Sequence, residues 1–326
     1  MENITATLGY AHPRYAESLC EFGELRNLPR CGGWILARPI PGTSYKDAIG
    51  CYPLFACLDW NKLHEDLDHL GSDLVSLALV ADPFSGATQT DLERCFDLVK
   101  PFKTHYVTDL TYPLESLLKG AYRYTVNKSL RDMDVEVSRQ PAAYLDDWMR
   151  LYDNLISRHN IKGINAFSYK CFEAQMNMPG MVMVAGRSEG EIVGASLVLI
   201  RDQVAYGHLI AFSSRGYQID AAYGITWKTL LFLREQGVRY YDSGGTAGIK
   251  DDPRSGLAKF KKIWSNSQRT AYLCGRVLDR EKYETLCQRN QIINDDYFPA
   301  YRQELPDRDH TVDPDRNSRE RSLNFL

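Results

Sequence analysis

Apolar and polar positions in the first part of the chain follow an alternation of strands and helices. Ser72–Val80 (SDLVSLALV) is a nearly continuous apolar run that ends in a turn, and this predicts a strand buried on both faces. Thr90–Val99 has apolar residues at helical spacing, with Thr90 as the predicted N-cap. His105–Leu110 predicts another strand. The order strand, helix, strand is typical of an α/β protein.

A long amphipathic helix is predicted over Leu114–Met133. Leucines and Ala121 occupy its apolar side. Its other side carries polar and basic residues at spacings of four: Lys119, Arg123, Asn127 and Arg131. This row is compatible with an ordinary solvated helix surface and with a ridge that faces phosphate or RNA.

A second series of elements follows the helix predicted at Tyr144–Ile156. Met181–Ala185, Glu191–Ile200 and Gln203–Phe212 are strand-like runs separated by short turns, which predicts an antiparallel meander. A helix is predicted over Asp220–Glu235, with Gly237 as its left-handed cap. The next strand, Val238–Asp242, breaks at a glycine pair.

The order meander, helix, strand, glycine break and helix resembles the core of the GNAT acyltransferase fold, in which the sheet splays apart to admit an acyl donor. We therefore predict an α/β (α+β) protein with tandem GNAT-like lobes, built from mixed sheets flanked by helices. The predicted lobes are residues 1–140 and 141–305, and the second carries the donor site. Residues 306–326 are charged and contain proline, and we predict a disordered tail.

Charge and composition narrow the possible partners and compartment. Lys and Arg number 39 against 42 Asp and Glu, so any RNA binding requires a local basic patch. The N-terminal residues resemble no leader, and no apolar stretch reaches the roughly 20 residues of a membrane helix, so we expect a cytoplasmic protein. The eight cysteines are scattered without metal or disulfide spacing, so we expect neither a disulfide framework nor a metal site.

The strongest chemical signal lies in Tyr240–Ser265 (YYDSGGTAGIKDDPRSGLAKFKKIWS). Two glycines directly after a strand allow a close approach to the backbone, and a lysine-rich helix begins beside them. A fixed cation suits acyl transfer to an amine, because that reaction passes through a tetrahedral oxyanion.

This passage resembles the Fem family of aminoacyl-tRNA-dependent transferases and their acyltransferase relatives. In that family the strand ends in D-x-G-G and a later helix begins G-L-x-x-F-K; here these are Asp242–Gly245 and Gly256–Lys261. The likeness extends over about residues 30–300. It implies that Lys261 lies at the reacting centre and neutralises charge on the donor or on the oxyanion. The alternative for Lys261 is an ordinary surface lysine.

The resemblance also implies further site residues. Tyr206 and His208 are two apart on a strand, so they share a face, and they are expected to contact the acceptor or relay protons. For His208 a hydrogen-bonded structural role is equally compatible. Asp242 either orients an amine or caps the glycine turn. The candidate set is catalytic Lys261, Phe260 and His208, and substrate-binding Arg123, Tyr169, Tyr206, Tyr223, Asp242, Gly244 and Gly245.

The expected function is amide formation by transfer of an aminoacyl or acyl group to an amine of a small molecule, sugar or peptide. No cofactor is expected to be permanently bound, and the donor is aminoacyl-tRNA or acyl-CoA. Ser213–Gly224 (SSRGYQIDAAYG) lacks the glycine spacing of coenzyme A sites, which disfavours acetyl-CoA. The alternatives are an acyl-CoA N-acyltransferase of glycan or cell-envelope biosynthesis and an inactive GNAT-fold binding module. We expect a monomer or weak dimer, with tRNA as a possible partner through a basic patch.

Overall fold

The architecture is described from a computed structural model, which places residues 8–159, 161, 166–248, 251–289 and 297–303. The strands are β1 (Glu24–Leu28), β2 (Gly33–Pro39), β3 (Lys46–Gly50), β4 (Leu74–Val80), β5 (Leu98–Asp109), β6 (Asp134–Ser138), β7 (Met181–Ser188), β8 (Glu191–Arg201), β9 (Val204–Phe212), β10 (Tyr240–Asp242) and β11 (Ser267–Val277). The helices are α1 (Pro13–Ser18), α2 (Leu63–Asp68), α3 (Gln89–Glu93), α4 (Gly120–Asp132), α5 (Leu145–His159), α6 (Tyr169–Met176), α7 (Ser214–Gln218), α8 (Ala221–Glu235), α9 (Gly256–Trp264) and α10 (Arg280–Arg289). In these ranges, no helix has the length and apolar character needed to cross a membrane.

Contacts divide the chain into two compact units that are interleaved in sequence. The first unit is Met1–Ser18 with Lys103–Arg269, and the second is Leu19–Phe102 with Thr270–Leu326. The predicted lobes were consecutive and met at residue 140, a position inside the first unit. There α4 packs on α8, and β6 pairs with β7. The predicted tail at 306–326 lies outside the described residues.

The sheet of the first unit has the strand order β6-β7-β8-β9-β10-β5. All neighbours are antiparallel except β9 and β10, which are parallel. The predicted meander is therefore confirmed as β7, β8 and β9. The predicted class, α/β (α+β) with mixed sheets flanked by helices, is also confirmed.

Helices cover both faces of this sheet. Nine consecutive residues of β8 are buried, which requires cover on both sides because side chains alternate along a strand. On one face, Ile200 and Ala205 pack with Leu230 and Leu233 of α8. On the other face α5 packs against β8 and β9. The buried side of α5 repeats at helical spacing: Leu145, Trp148, Leu151 and Tyr152.

In the second unit the strand order is β1-β2-β3-β4-β11. All seven residues of β4 are buried, which confirms the strand predicted there. β4 is parallel to β3 and antiparallel to β11. The hydrophobic core of the second unit includes Phe55, Leu77, Leu79 and Cys274.

A buried polar network ties residues 297–303 to the strands of the second unit. The Asp47 carboxylate is fully buried and accepts hydrogen bonds from Tyr301 Oη (3.1 Å) and Arg302 Nη2 (2.9 Å). Arg38 Nη2 lies 3.5 Å from the same carboxylate, and burial lowers the pKa of Arg38. Tyr301 also hydrogen-bonds Ser76 at 2.7 Å. One buried carboxylate is therefore the shared counter-charge of two largely buried arginines.

Two predicted helices differ from those observed. α3 is capped by Thr88, which exchanges hydrogen bonds with Asp91, and α3 ends at Glu93, so the predicted Thr90 cap and the extension to Val99 are wrong. The predicted helix Leu114–Met133 is interrupted: a 3₁₀ turn covers Leu114–Ser116, and α4 begins at Gly120, whose φ is +33°. That backbone conformation is outside the helical range.

Candidate active site

The glycine break lies where β10 ends beside β5. Asp242 pairs with Val107 in the last registered position of β10. The chain stays beside β5 after β10 ends, because Ser243 N donates to Tyr106 O (3.0 Å) and Tyr106 N donates to Gly244 O (3.2 Å). Gly244 has φ +76°, in the left-handed region that favours glycine. The turn therefore exposes backbone carbonyls at a defined place in the fold.

Lys261 occupies this break. Helix α9 begins after Ser255, whose hydroxyl caps the Ala258 amide. Lys261 lies in the second turn of α9, and its Nζ donates to Ser243 O (2.5 Å) and Gly245 O (2.6 Å). The pKa of Lys261 is lowered to about 8, chiefly by burial and to a smaller extent by the charge of Lys103, while Asp242 opposes the shift. Lys261 is therefore a half-buried cation held by two backbone carbonyls.

Asp242 holds the turn with one oxygen and a histidine with the other. Its Oδ1 accepts the Gly244 amide at 2.8 Å, and its Oδ2 lies 2.8 Å from His105 Nδ1. Asp242 is 1% exposed and His105 is 7% exposed. The predicted turn-capping contact of Asp242 is thus present, together with an aspartate–histidine pair that the sequence did not suggest.

Lys103 is a buried cation on β5, the strand that also carries His105. It lies two residues before His105, so both side chains leave β5 on one face. A Cβ atom added at Gly245 would come 2.9 Å from Lys103 Cβ, so glycine is required where this backbone passes close to Lys103. Burial lowers the pKa of Lys103, and Asp251 opposes this shift. Asp251 in turn accepts Thr104 N (3.0 Å) and Thr246 Oγ1 (2.7 Å).

Lys103, His105 and Asp251 were therefore missed by the sequence analysis. The available signal was the K-T-H sequence at the start of the strand predicted from His105, because titratable residues on one face of a buried strand require partners.

His208 lies elsewhere in the first unit and has both ring nitrogens occupied. Tyr10 Oη lies 3.2 Å from Nδ1, and Nε2 lies 3.1 Å from Gln175 Oε1. Phe167 stacks on the ring with centroids 6.1 Å apart. Burial lowers the pKa of His208 to about 4, so the ring is neutral at pH 7. Tyr206 shares this face, since its ring centroid is 5.2 Å from that of Tyr10.

Phe260 and Tyr223 belong to an aromatic cluster that anchors α9. Their rings meet edge to face with centroids 5.2 Å apart, and Trp264 lies 6.0 Å from both. Tyr122 stacks on Tyr223 at 6.4 Å. Burial raises the pKa of Tyr223. Phe260 therefore fixes the helix that carries Lys261, and its contacts here are with aromatic side chains.

The remaining two candidates are exposed. Tyr169 is 48% exposed and donates to Asp146 Oδ1 at 3.2 Å. Arg123 is exposed on α4, between Tyr122 and Tyr124. Among the described residues, no hydrogen bond or ring contact joins Tyr169 or Arg123 to Lys261. The structure thus brings together Asp242, Gly244, Gly245 and Lys261, and places the other candidates outside that group.

Comparison with known proteins gives one family match and several similar folds. Residues 119–262 match the acetyltransferase (GNAT) domain, a range that begins before α4 and contains Asp242 and Lys261. No curated protein sequence matches the chain.

Three solved structures share the fold. FemX is 15% identical, covers 84% of this chain and 93% of its own, and gives a TM-score of 0.60. The C-terminal domain (DUF2156) of a putative lysylphosphatidylglycerol synthetase from Agrobacterium fabrum is 17% identical, with 80% and 87% coverage and a TM-score of 0.56. L-PGS from Bacillus licheniformis is 16% identical, with 82% and 92% coverage and a TM-score of 0.52.

Residues 119–262, less than half of the chain, therefore match an acetyltransferase (GNAT) domain. The fold of the chain is similar to those of FemX and of the domain from the putative lysylphosphatidylglycerol synthetase, so the predicted Fem-like and GNAT-like architecture is confirmed.

Proposed function

We propose that the protein forms an amide by transferring an aminoacyl or acyl group from an ester or thioester donor to an amine of a small molecule, sugar or peptide. The Lys261 ammonium, held by two carbonyls at the glycine break, carries this proposal. An ammonium has three N–H donors, and the carbonyls of Ser243 and Gly245 take two of them. The third is available for the oxyanion that forms when the amine attacks the donor carbonyl.

The charge of Lys261 fits this role at neutral pH. Its pKa of about 8 keeps most of the lysine protonated at pH 7. Two carbonyl contacts fix the ammonium before substrate arrives, so little reorganisation is needed in the transition state. Phe260, packed on Tyr223, keeps α9 in place and so supports the position of Lys261.

The pH dependence of transfer tests the cationic role. The rate term that depends on Lys261 should fall as the pH rises through about 8, because the ammonium is lost there. In Lys261→Arg the guanidinium stays charged, so this alkaline decline should disappear even though the overall rate is lower. We would measure kcat/KM against pH for both proteins with one acceptor amine. An identical alkaline decline in both would contradict the assignment.

Titration of Lys261 does not itself destabilise the fold over this pH range. The folded pKa of Lys261 is about 8, whereas the ordinary value is 10.5. Between these values the unfolded chain binds more protons than the folded chain, so the contribution of Lys261 to the free energy of unfolding increases with pH. Rate and stability from this group therefore change in opposite directions.

An aminoacyl-tRNA donor is favoured over coenzyme A by the N-terminus of α8. Helix N-termini bind phosphate through free amides, but here Asp220 occupies the N-cap with φ +57°. Its carboxylate is itself an anion, paired with Lys128 at 3.4 Å. The exposed side of α4, with Arg123 between Tyr122 and Tyr124, offers cations and aromatic rings suited to single-stranded RNA.

The donor is identified by one comparison. We would incubate the protein with a panel of amines and charged tRNA, with and without ribonuclease, and in parallel with acyl-CoA. We expect amide formation that ribonuclease abolishes. Turnover with acyl-CoA alone, insensitive to ribonuclease, would instead establish an acyl-CoA N-acyltransferase, and failure of every donor would favour a binding module.

A further inference from the structure

The Asp242–His105 pair has the geometry of an oriented base. Asp242 is held at both oxygens, by the Gly244 amide and by His105 Nδ1, each at 2.8 Å. An ionised carboxylate accepts hydrogen bonds only, so Nδ1 carries the hydrogen and Nε2 carries the lone pair. Within the part of the chain that the structure describes, the His105 ring makes no hydrogen bond other than the one to Asp242.

The pair lies at the same turn as the Lys261 ammonium. Asp242 holds Gly244 N, while Lys261 holds the carbonyls of Ser243 and Gly245 on either side of it. Ser243, Gly244 and Gly245 thus hold both the Lys261 ammonium and Asp242, the carboxylate that binds His105. Acyl transfer to an amine needs a base and a cation close together, one to remove a proton and one to stabilise an oxyanion.

The contrast with His208 strengthens this assignment. Tyr10 and Gln175 occupy both nitrogens of His208, so that ring has no nitrogen available to accept a substrate proton. His105 spends one nitrogen on a carboxylate, which orients the ring and stabilises it when protonated.

We propose that His105 is the general base of the reaction and that Asp242 is its positioning residue; this rests on the function proposed above. The amine proton passes to His105 Nε2 as the new C–N bond forms. The C–O or C–S bond of the donor then breaks, and the imidazolium returns that proton to the leaving oxygen or sulfur. One proton thus moves from amine to leaving group, and an acceptor that arrives as an ammonium first gives its extra proton to water.

The tautomer of His105 tests the proposal without any donor. In the full-length protein labelled with ¹⁵N-histidine, two-bond ¹H–¹⁵N correlations report which ring nitrogen carries the hydrogen, and His105→Gln assigns the signal. We expect neutral His105 to be protonated at Nδ1. In Asp242→Asn the amide donates to Nδ1, so the hydrogen should move to Nε2. Protonation of the wild-type ring at Nε2 would overturn the proposal.

Transfer rates test the proton step itself. With an alkylamine acceptor, His105→Gln should lose about 10²-fold in rate. With hydroxylamine, whose weakly basic nitrogen becomes a more acidic N–H centre when it attacks, the loss should be several-fold smaller, because water can accept that proton more readily. His208→Gln is the matched control: its rates with the two acceptors should keep the wild-type ratio.

The outcomes separate the base from the proposed function. Equal losses with both acceptors in His105→Gln would show a structural role and overturn the assignment. If wild-type protein transfers from no donor, the proposed function fails, and the tautomer measurement alone decides whether Asp242 orients His105 as a base.

Discussion

The Lys261→Ala variant should lose about 10²–10³ in kcat/KM, roughly 2.7–4 kcal/mol of transition-state stabilisation, if Lys261 acts as one oxyanion donor. The expected loss follows from the position of its ammonium between the carbonyls of Ser243 and Gly245. Substrate binding alone should change less, because the oxyanion exists only in the transition state. Steady-state kinetics on the identified donor and acceptor would measure the effect.

Lys259 and Lys262 are the matched controls on the same helix. Both are exposed, so their alanine variants should lose much less than Lys261→Ala. Lys261→Arg should recover only part of the rate, since a planar guanidinium does not reproduce a compact ammonium between two carbonyls. Small and equal losses at all three lysines would return Lys261 to the role of an ordinary helix residue.

Asp47→Ala should lower the free energy of unfolding by about 3–5 kcal/mol, as for other broken buried ion pairs. The wild-type carboxylate is fully buried, accepts hydrogen bonds from Arg302 and Tyr301, and forms an ion pair with Arg38. Its removal leaves the arginines without a counter-charge, and both are only about one-fifth exposed in their side chains (20% and 21%). Urea unfolding followed by fluorescence and circular dichroism would measure the shift.

Asp73→Ala provides the comparison for a surface pair. Asp73 binds Arg26 at 2.5 Å, but its side chain is 50% exposed, so water replaces the lost contact. We expect a loss of about 0–1 kcal/mol there. Equal losses in the two variants would mean that the Asp47 network contributes no more than an exposed ion pair.

Periodicity predicted elements well where one segment's own residues determine its structure. β4 is buried along its whole length, and the meander strands are separated by turns of two residues, so both patterns are visible locally. The start of α3 was misplaced because Thr88 and Thr90 are both capable caps, and the side chain of Asp91 selects Thr88. The break before α4 depends on the backbone of Gly120, which amphipathic spacing does not reveal.

The candidate site was predictable only where its motif is contiguous or matches a family pattern. Asp242, the glycine pair and Lys261 lie within one short passage. His105 meets Asp242 across 137 positions of sequence, through pairing of β5 with β10. His208 was predicted either to contact substrate or to have a hydrogen-bonded structural role. Its partners Tyr10 and Gln175, which distinguish the two, come from distant segments. Strand pairing therefore determines which titratable side chains meet.

The interleaved units also affect how the chain is made. β4 leaves the ribosome early but pairs with β11, which ends at Val277, and Tyr10 packs on a strand that ends at Phe212. At about 5–20 residues per second, early strands wait for about ten seconds or more with exposed edges. Neither unit completes its sheet until most of the chain has been synthesised. Expression yield should therefore depend on chaperones that bind nascent chains, and splitting the gene near residue 140 would give two fragments that each lack sheet partners.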